Sequence, residues 1–377
     1  MSDVAATDVG PVSLAEIALV FLKLGTIAFG GPAAHIAMME DEFVRRRKWL
    51  SHQEFLDRLG ASNLIPGPSS TEMAIHIGFS KRGWPGLLVA GCCFIVPAAI
   101  LVTLIAAAYM RYGSLPRVEH ILYAIKPVVI AVVVQALWNL GRTAVKSVWL
   151  AVVGITAVVA YFFHAHELVL LAAAGLVAAA PVLARSRRMA MFLLAPIGAV
   201  VALKPAPFGL TRLFLTFLKI GSVLFGSGYV LLAFLRSDFV DQFGWLTEKQ
   251  LLDAVAVGQV TPGPVFTTAT FIGYLVGGGR GAAVATVAVF LPAFILVAAS
   301  GPLLPKIRRS AIAGAFLDGV IVGSLALMAV VAWQLGRAAI VDFTTAAIAL
   351  VSAILLFRFR VNSAWLVIGA ALVGWMM

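Results

Sequence analysis

The sequence predicts an all-α polytopic membrane protein that consists of two homologous halves. Only 12% of its 377 residues are charged and 62% are hydrophobic, whereas about 25% charged residues are usual in soluble domains. Apolar runs of the length needed to cross a bilayer, about 20 residues, recur along the whole chain. Motifs of the first half also return in the second half in the same order. These three observations exclude an ordinary soluble fold and predict that a lipid bilayer surrounds the chain.

Thirteen apolar segments can be placed along the chain. They cover about residues 14–38, 55–79, 84–110, 118–141, 147–163, 167–184, 189–203, 208–235, 250–276, 281–304, 311–336, 340–356 and 363–377. We therefore expect about 13 transmembrane segments. Their grouping divides the chain into an N-terminal tail (1–13), a first repeat (14–184), a linker with an extra apolar segment (185–207) and a second repeat (208–377).

The two repeats correspond residue by residue. The segment Phe21-Leu22-Lys23-Leu24-Gly25 returns 196 positions later as Phe217-Leu218-Lys219-Ile220-Gly221, and Pro66-Gly67-Pro68 returns as Pro262-Gly263-Pro264. If every segment crosses, seven segments precede the second repeat, and an odd number inverts it relative to the first. Such inverted repeats underlie many secondary transporters. The alternative is that the segment carrying each Pro-Gly-Pro is broken and re-enters the membrane, which changes the count.

The net charge of +11 comes largely from short basic clusters between apolar segments, such as Arg45-Arg46-Arg47-Lys48 and Arg185-Ser186-Arg187-Arg188. This distribution is typical of membrane topology signals and lipid headgroup contacts, not of a continuous surface that follows nucleic-acid phosphates. We therefore expect no nucleic-acid partner. The first ten residues contain no Lys or Arg, so they lack the basic region of a cleavable signal peptide.

The two Pro-Gly-Pro motifs predict a helix break in each half, because proline removes a backbone donor and clashes with the preceding turn. Irregular backbone at membrane depth requires protein or a wet cavity around it. A half-helix that starts at such a break directs free N–H groups and a positive dipole end toward that cavity. A packing kink is the alternative, but two copies favour a binding site. The predicted binding residues are Pro66, Gly67, Pro68, Ser69, Ser70 and Thr71, with Pro262, Gly263, Pro264, Thr267 and Thr268 in the second half.

Lys23 and Lys219 are the second predicted feature of the site. Each lies well inside the first apolar segment of its half, where an ammonium group is unfavourable unless it is paired or faces water. We expect the two lysines to bind substrate. The alternative is a structural pair with a carboxylate, for which Glu72, Asp57 and Asp253 are the candidates.

Glycines near these lysines are expected to end or break the first segment of each half. Gly30 and Gly31 in the first half and Gly226 in the second permit either tight helix packing or backbone contact with substrate. Glu72 and His76 share one face of the half-helix after the first break, at positions i and i+4. They are candidates for proton coupling or for a structural pair, and Thr268 stands where Glu72 would repeat.

Other function classes find little support in the sequence. A membrane-embedded enzyme needs a nucleophile with its base, or a metal cluster, and few ionisable residues lie inside the apolar segments. The motif His164-Ala165-His166-Glu167 is interpreted as a polar turn, because no further ligands stand nearby in the sequence. We expect no metal and no cofactor. A scaffold or receptor would not need two broken helices that carry lysines.

Several motifs resemble the paired signatures of the chromate ion transporter family, long two-domain type. They occur in order and twice: Phe29-Gly30-Gly31-Pro32, Arg46-Arg47-Lys48-Trp49-Leu50, Pro66-Gly67-Pro68, Trp245-Leu246-Thr247, Thr261-Pro262-Gly263-Pro264 and Phe271-Ile272-Gly273-Tyr274. The resemblance covers about residues 15–145 and 210–340.

The resemblance implies a multi-pass protein of the bacterial inner membrane that exports chromate, confers chromate resistance and depends on membrane energisation. It also implies kinship with sulfate handling, since both ions are tetrahedral dianions. A carrier for sulfate or another oxyanion is therefore the first alternative, and a homodimer is a further expectation. The residues agree with an oxyanion, because a desolvated dianion demands both positive charge and hydrogen-bond donors.

Overall fold

The computed structural model describes residues 12–62, 64–113, 115–163, 166–185, 207–225 and 230–377, without the side chains of residues 33, 185 and 301–309. This part of the chain forms fourteen α-helices and no strand. In the first half they are α1 Leu14–Ile27, α2 Gly31–Glu40, α3 His52–Ser62, α4 Ser69–Tyr112, α5 Pro116–Ala144, α6 Val148–Phe162 and α7 Glu167–Arg185. In the second half they are α8 Leu210–Val223, α9 Leu231–Leu235, α10 Glu248–Val260, α11 Thr268–Arg309, α12 Ala311–Ala339, α13 Phe343–Arg358 and α14 Ser363–Met376. Short π-helical turns, Asp41–Arg46 and Arg236–Gln242, extend α2 and α9.

Among the described residues, five helical stretches are long and apolar enough to cross a membrane. They lie in α4, α5, α7, α11 and α12, while α6, α13 and α14 are shorter apolar helices. The chain is therefore an all-α membrane protein with several crossings. The expected count of thirteen is not confirmed, and the predicted extra segment at residues 189–203 lies outside the described part.

The first apolar segment of each half folds as a hairpin of two helices. With its 14 residues, α1 is about 21 Å long, whereas the hydrocarbon core is about 30 Å thick. The chain then turns at Gly30, whose φ is 101°, and α2 runs back beside α1. Phe21 and Phe43 therefore stack with centroids 5.1 Å apart, and Arg47 forms a 2.7 Å ion pair with Glu16 near the start of α1. The predicted break is confirmed.

The second half repeats this hairpin with α8 and α9. The rings of Phe217 and Phe239, which correspond to Phe21 and Phe43, lie 4.9 Å apart. At the open end, Arg212 lies over the ring of Phe243, 4.8 Å from its centroid, where the first half has the Glu16–Arg47 ion pair. The hairpin is thus conserved within the chain, although the interaction that closes it differs.

A second hairpin in each half contains the Pro-Gly-Pro motif. In the first half, α3 leads to the break at residues 66–68, and the first arm of α4 (69–81) returns, so that the Lys81 ammonium contacts the carbonyl oxygen of Trp49. At Gly83, with φ 57°, α4 reverses again. Its second arm (84–112) packs so closely that a Cβ on Gly78 would lie 2.3 Å from the Gly86 carbonyl oxygen.

The equivalent turn of α11 lies at Gly277-Gly278, where Gly278 has φ 61°. A Cβ on Gly273 would lie 2.4 Å from the Gly281 carbonyl oxygen, which matches the close approach in α4. Each Pro-Gly-Pro motif therefore lies between two helical arms that run back beside each other, and the second arms of α4 and α11 are the longer parts of these helices.

The open ends of the second-half hairpins lie at the far end of α4. Near the start of α10, Lys249 forms a 2.8 Å ion pair with Glu119 of α5. Asp253, half-way along α10, accepts a 2.9 Å hydrogen bond from the Tyr109 hydroxyl and forms a 3.1 Å ion pair with Lys126 of α5. Tyr109 is roughly 39 Å along the helix from the Gly83 turn, at about 1.5 Å per residue. The Gly83 turn lies at the open end of the first-half hairpins, because Lys81 just before it contacts Trp49 just before α3. The hairpins of the two halves therefore open at opposite ends of α4.

Candidate functional site

The four hairpin tips meet in the centre of the protein through two reciprocal hydrogen bonds. The Gly67 N–H donates to the carbonyl oxygen of Leu224 over 2.8 Å, and the Gly263 N–H donates to the carbonyl oxygen of Ala28 over 2.9 Å. Ala28 and Leu224 are the residues that directly follow α1 and α8. Each Pro-Gly-Pro break therefore binds the first hairpin of the opposite half. We call this region, residues 28–31, 66–72, 224–225 and 262–268, the tip junction.

The glycine of each break is required by the backbone and by its neighbours. Gly67 has φ 141° and Gly263 has φ 90°, a region that side chains disfavour. A Cβ on Gly263 would lie 2.6 Å from the Cβ of Ala98 and 3.1 Å from the Gly25 carbonyl oxygen. The two breaks expected from the sequence are therefore present, and they bring backbone of both halves into contact.

His35 of α2 contacts the tip junction, and sequence reasoning missed it. Its ring is buried, with Nε2 3.0 Å from the Ala28 carbonyl oxygen and Nδ1 3.2 Å from the Ser70 hydroxyl. Since Nε2 must donate to the carbonyl, Nδ1 accepts the Ser70 proton. The position carries Leu231 in the second half, so the search for repeated polar residues could not find it.

The first arm of α4 carries a group of buried polar atoms without partners. Thr71 Oγ1, both carboxyl oxygens of Glu72 and Nε2 of His76 receive or donate no hydrogen bond among the described residues. Glu72 is fully buried, and its Oε1 lies 2.3 Å from the point that a Cβ on Gly67 would occupy. Because native proteins pair most buried polar atoms, this group is a candidate binding site for a ligand or a proton.

The corresponding residues of the second half are already paired. The Thr267 hydroxyl donates to the Pro264 carbonyl oxygen over 2.8 Å, and the Thr268 hydroxyl donates to that of Val265 over 2.9 Å. Their protons are thus committed to the backbone of the short helical turn Val265–Thr267. The two halves contribute unequally to the junction, and the free polar groups lie in the first half.

The two lysines predicted to bind substrate have different surroundings. Lys219 forms a 2.6 Å ion pair with Asp238, whereas Lys23 is exposed on the outer face of α1 and has no partner among the described residues. None of the carboxylates expected from the sequence pairs with Lys219. Glu42, which corresponds to Asp238, pairs with Arg47 over 2.7 Å instead.

The glycines expected beside the lysines lie at the first tip. Gly30 and Gly31 have φ values of 101° and 77° and directly follow the Ala28–Phe29 step at the junction. A Cβ on Gly30 would lie 3.2 Å from the side-chain nitrogen of Asn362, which precedes α14. Gly226, the predicted counterpart, lies outside the described residues.

A polar cavity of about 540 Å³ opens near the Lys219–Asp238 pair. Arg236 lies in its wall and is bound at 2.7 Å by both Asp241 and Glu248. The lining residues are Tyr161, Phe162, His166, Glu167, Arg236, Ser237, Asp241, Gln242 and Gln334. His166 of the predicted polar turn lies here, and His164 falls outside the described residues.

Comparison with known proteins shows the same two-part organisation. The family model described as Chromate transporter matches residues 15–179 and again residues 211–375. These two regions contain the first and second sets of hairpins, so the internal repeat is confirmed. No solved structure matches the chain.

Three relatives match over most of their length. A chromate transport protein of Cupriavidus metallidurans is 32% identical over 96% of this chain and 92% of its own length. A probable chromate transport protein of Synechococcus elongatus is 31% identical over 91% and 89%, and a chromate transport protein of Pseudomonas aeruginosa is 31% identical over 97% and 93%. This multi-pass membrane protein therefore belongs to the chromate transporter family.

Proposed function

We propose that the chain carries chromate across the membrane and binds it at the tip junction. The observation that carries the proposal is the pair of reciprocal hydrogen bonds from Gly67 and Gly263, which places two broken helices and two first-hairpin tips around one buried point. The half-helix that begins at Ser69 directs its free N–H groups to that point, and helix N-termini bind anions. The Thr71 hydroxyl, which has no partner among the described residues, adds a donor on the same side.

The two halves are inverted relative to each other in this proposal. The support is the position of Asp253 beside Tyr109, since the second-half hairpins open where α4 ends and the first-half hairpins open near its Gly83 turn. Tips that enter from opposite sides and meet at mid-depth are suited to alternating access, in which one set of hairpins opens at a time.

Export follows from the charge of the substrate. A dianion in a cell with a negative interior is driven outward by about 4.6 kcal/mol per 100 mV, at about 2.3 kcal/mol per elementary charge. The proposed location is the bacterial inner membrane, and the proposed outcome is chromate resistance through efflux that depends on membrane energisation. The three named relatives, all from bacteria, support this location.

Lys23 and Lys219 supply the positive charge in this proposal. Lys219 is neutralised by Asp238 in the present conformation, so an anion that reaches it competes with a carboxylate. Lys23 is not neutralised among the described residues and stands near Leu19, which is 69% exposed. An ammonium at that depth must face water or protein. The outer face of α1 is therefore proposed to border a wet path or the second copy of a homodimer.

A carrier for sulfate or another oxyanion is the main alternative. The same backbone donors and lysines fit any tetrahedral dianion, so competition experiments must separate the substrates. An enzyme is a poorer explanation, because the described residues contain no group of three or more metal-binding side chains and the relatives are transporters by name.

The proposed function is tested by measuring chromate movement in vesicles that contain the purified protein. Vesicles loaded with chromate should lose it several times faster than protein-free vesicles when the interior is made negative, because the potential acts on a charged substrate. Equal rates in both vesicle types would contradict the proposal. Excess sulfate on the chromate side distinguishes the alternative, since strong competition indicates a general oxyanion carrier.

The inverted arrangement predicts opposite accessibility for Ser51 and Thr247. These exposed, corresponding residues stand just before α3 and α10. Single cysteines at the two positions, in a background without Cys92 and Cys93, should react with an impermeant thiol reagent from opposite sides of the membrane. The cysteine-free background is the control. Labelling of both positions from the same side would contradict the inversion.

A further inference from the structure

Glu72 is an acidic side chain that the tip junction leaves without any partner. It is fully buried, and neither carboxyl oxygen accepts a hydrogen bond from the described residues. The position of Gly67 places the carboxyl group directly against the Pro-Gly-Pro break. An ionised carboxylate in such a place is strongly unfavourable, so burial favours the protonated form of the group.

The charged and titratable groups around Glu72 do not offer a counter-ion. His76 lies one turn further along the same arm, and its Nε2 is also without a partner. Arg58 of α3 donates to the backbone oxygen of Glu54, and His35 of α2 is occupied by Ala28 and Ser70. The α11 side, opposite Gly67, presents Ala293. Among the described residues, no charged side chain therefore offsets the burial of the Glu72 carboxyl group.

We propose that Glu72 is the proton site of the carrier and that one proton moves with each oxyanion in the same direction. This inference rests on the proposed function, in which the anion binds at the N-terminal end of the arm that carries Glu72. A carboxylate beside a dianion repels it, whereas a protonated carboxyl group does not and offers an O–H donor. Anion and proton therefore favour each other's binding, and the two linkage effects are equal in size.

The second half limits the coupling to a single proton. Thr268 occupies the position equivalent to Glu72, and its hydroxyl is bonded to Val265. A dianion accompanied by one proton moves one net negative charge instead of two. The negative cell interior then still drives export, while an inward proton gradient opposes it. If the dianion crossed alone, its flux would not depend on a pH gradient. If it were exchanged for a proton, the pH gradient would change its flux in the opposite direction.

The experiment uses vesicles with the full-length protein, chromate as the probe, and separately imposed gradients of pH and voltage. At zero voltage, acidifying the outside should drive chromate into wild-type vesicles. Glu72→Gln keeps the size of the side chain but holds no titratable proton. It should carry chromate down its own gradient without a pH-driven component, and its flux should respond to voltage with twice the apparent charge. The variant also controls for protonation of chromate itself.

A second measurement does not depend on the variant being functional. In weakly buffered detergent solution, at a pH alkaline enough to ionise Glu72 in the chromate-free protein, chromate is a dianion and wild-type protein should take up close to one proton per chromate bound. Glu119→Gln, the same change at an exposed carboxylate of α5 outside the tip junction, should retain this uptake. Chromate binding without proton uptake in the wild type, or pH-driven accumulation that persists in Glu72→Gln, would overturn the inference. Absence of any chromate flux or binding in the wild type would instead reject the proposed function.

Discussion

Replacing Gly67 or Gly263 with alanine is expected to lower the initial rate of chromate flux at least about tenfold. A Cβ at Gly263 would lie 2.6 Å from the Cβ of Ala98, and one at Gly67 would lie 2.3 Å from the Glu72 carboxyl group. At Gly263 the tip must therefore move, and at Gly67 the φ of 141° is strained for alanine, so the N–H groups that reach Leu224 and Ala28 lose their alignment. A tenfold loss corresponds to about 1.4 kcal/mol, which misplacement at a binding site readily produces.

Two other glycines provide the matched control for this prediction. Gly83 and Gly278 also have positive φ values, 57° and 61°, but a Cβ at either would meet no atom within 4 Å. Alanine there imposes a backbone strain of about 1–3 kcal/mol, since ψ is −141° and −155°, without disturbing the tip junction. Flux per protein in the membrane should stay close to wild type. An equal loss in both pairs would show that helix strain, not the tip junction, is responsible.

The breaks in the helices could be predicted from sequence because proline and glycine act locally. Pro66-Gly67-Pro68 and its repeat interrupt a helix wherever they stand, and the repetition marked both copies as important. The return of the chain could not be predicted in the same way. Residues 55–79 form one continuous apolar segment, and the contact that reveals the hairpin, Lys81 with Trp49, joins residues far apart in sequence.

The residues that the hairpin tips contact could not be predicted from the sequence either. Repetition identifies Gly67 and Gly263 as equivalent, but it does not indicate that each binds the opposite half. His35 gave no signal at all, because a single histidine without a counterpart is indistinguishable from a buried structural one. These contacts are set by the packing of α4 against α11, and a single sequence contains no direct record of which surfaces pack.

Charges at corresponding positions show why residue identity alone misleads in this chain. In the first half Glu40 lies near Arg45 and His52, at 3.8 and 3.5 Å. In the second half the corresponding residues are Arg236, Asp241 and Glu248, so a cation stands at the centre and two carboxylates bind it. The geometry of the cluster is kept while its charges are reversed. A comparison of identities along the repeat discards such positions, although they form the same structural contact.

The lysines are expected to be unequal in their contribution to transport. Lys23→Gln removes a positive charge that no described carboxylate neutralises, and it should reduce initial chromate flux at least about tenfold. Lys219→Gln should be less damaging, because Asp238 already compensates that charge at 2.6 Å. Lys→Arg at either position keeps the charge but adds a wider planar group, so partial activity is expected. The measurement is initial flux at matched membrane expression, with sulfate as competitor.

The interpretation of these variants depends on separating charge from folding. Lys219→Gln leaves Asp238 buried and unpaired, which is destabilising in itself, so Asp238→Asn is combined with it to restore neutrality. Lys146→Gln is the control for loss of a lysine at the protein surface, because Lys146 forms an exposed ion pair with Asp318. Flux in Lys146→Gln should match the wild type. If the Lys23→Gln, Lys219→Gln, Asp238→Asn variant also carries chromate at the wild-type rate, the positive charge for the dianion must come from elsewhere, and the backbone donors of the tip junction would then bind the anion without these lysines.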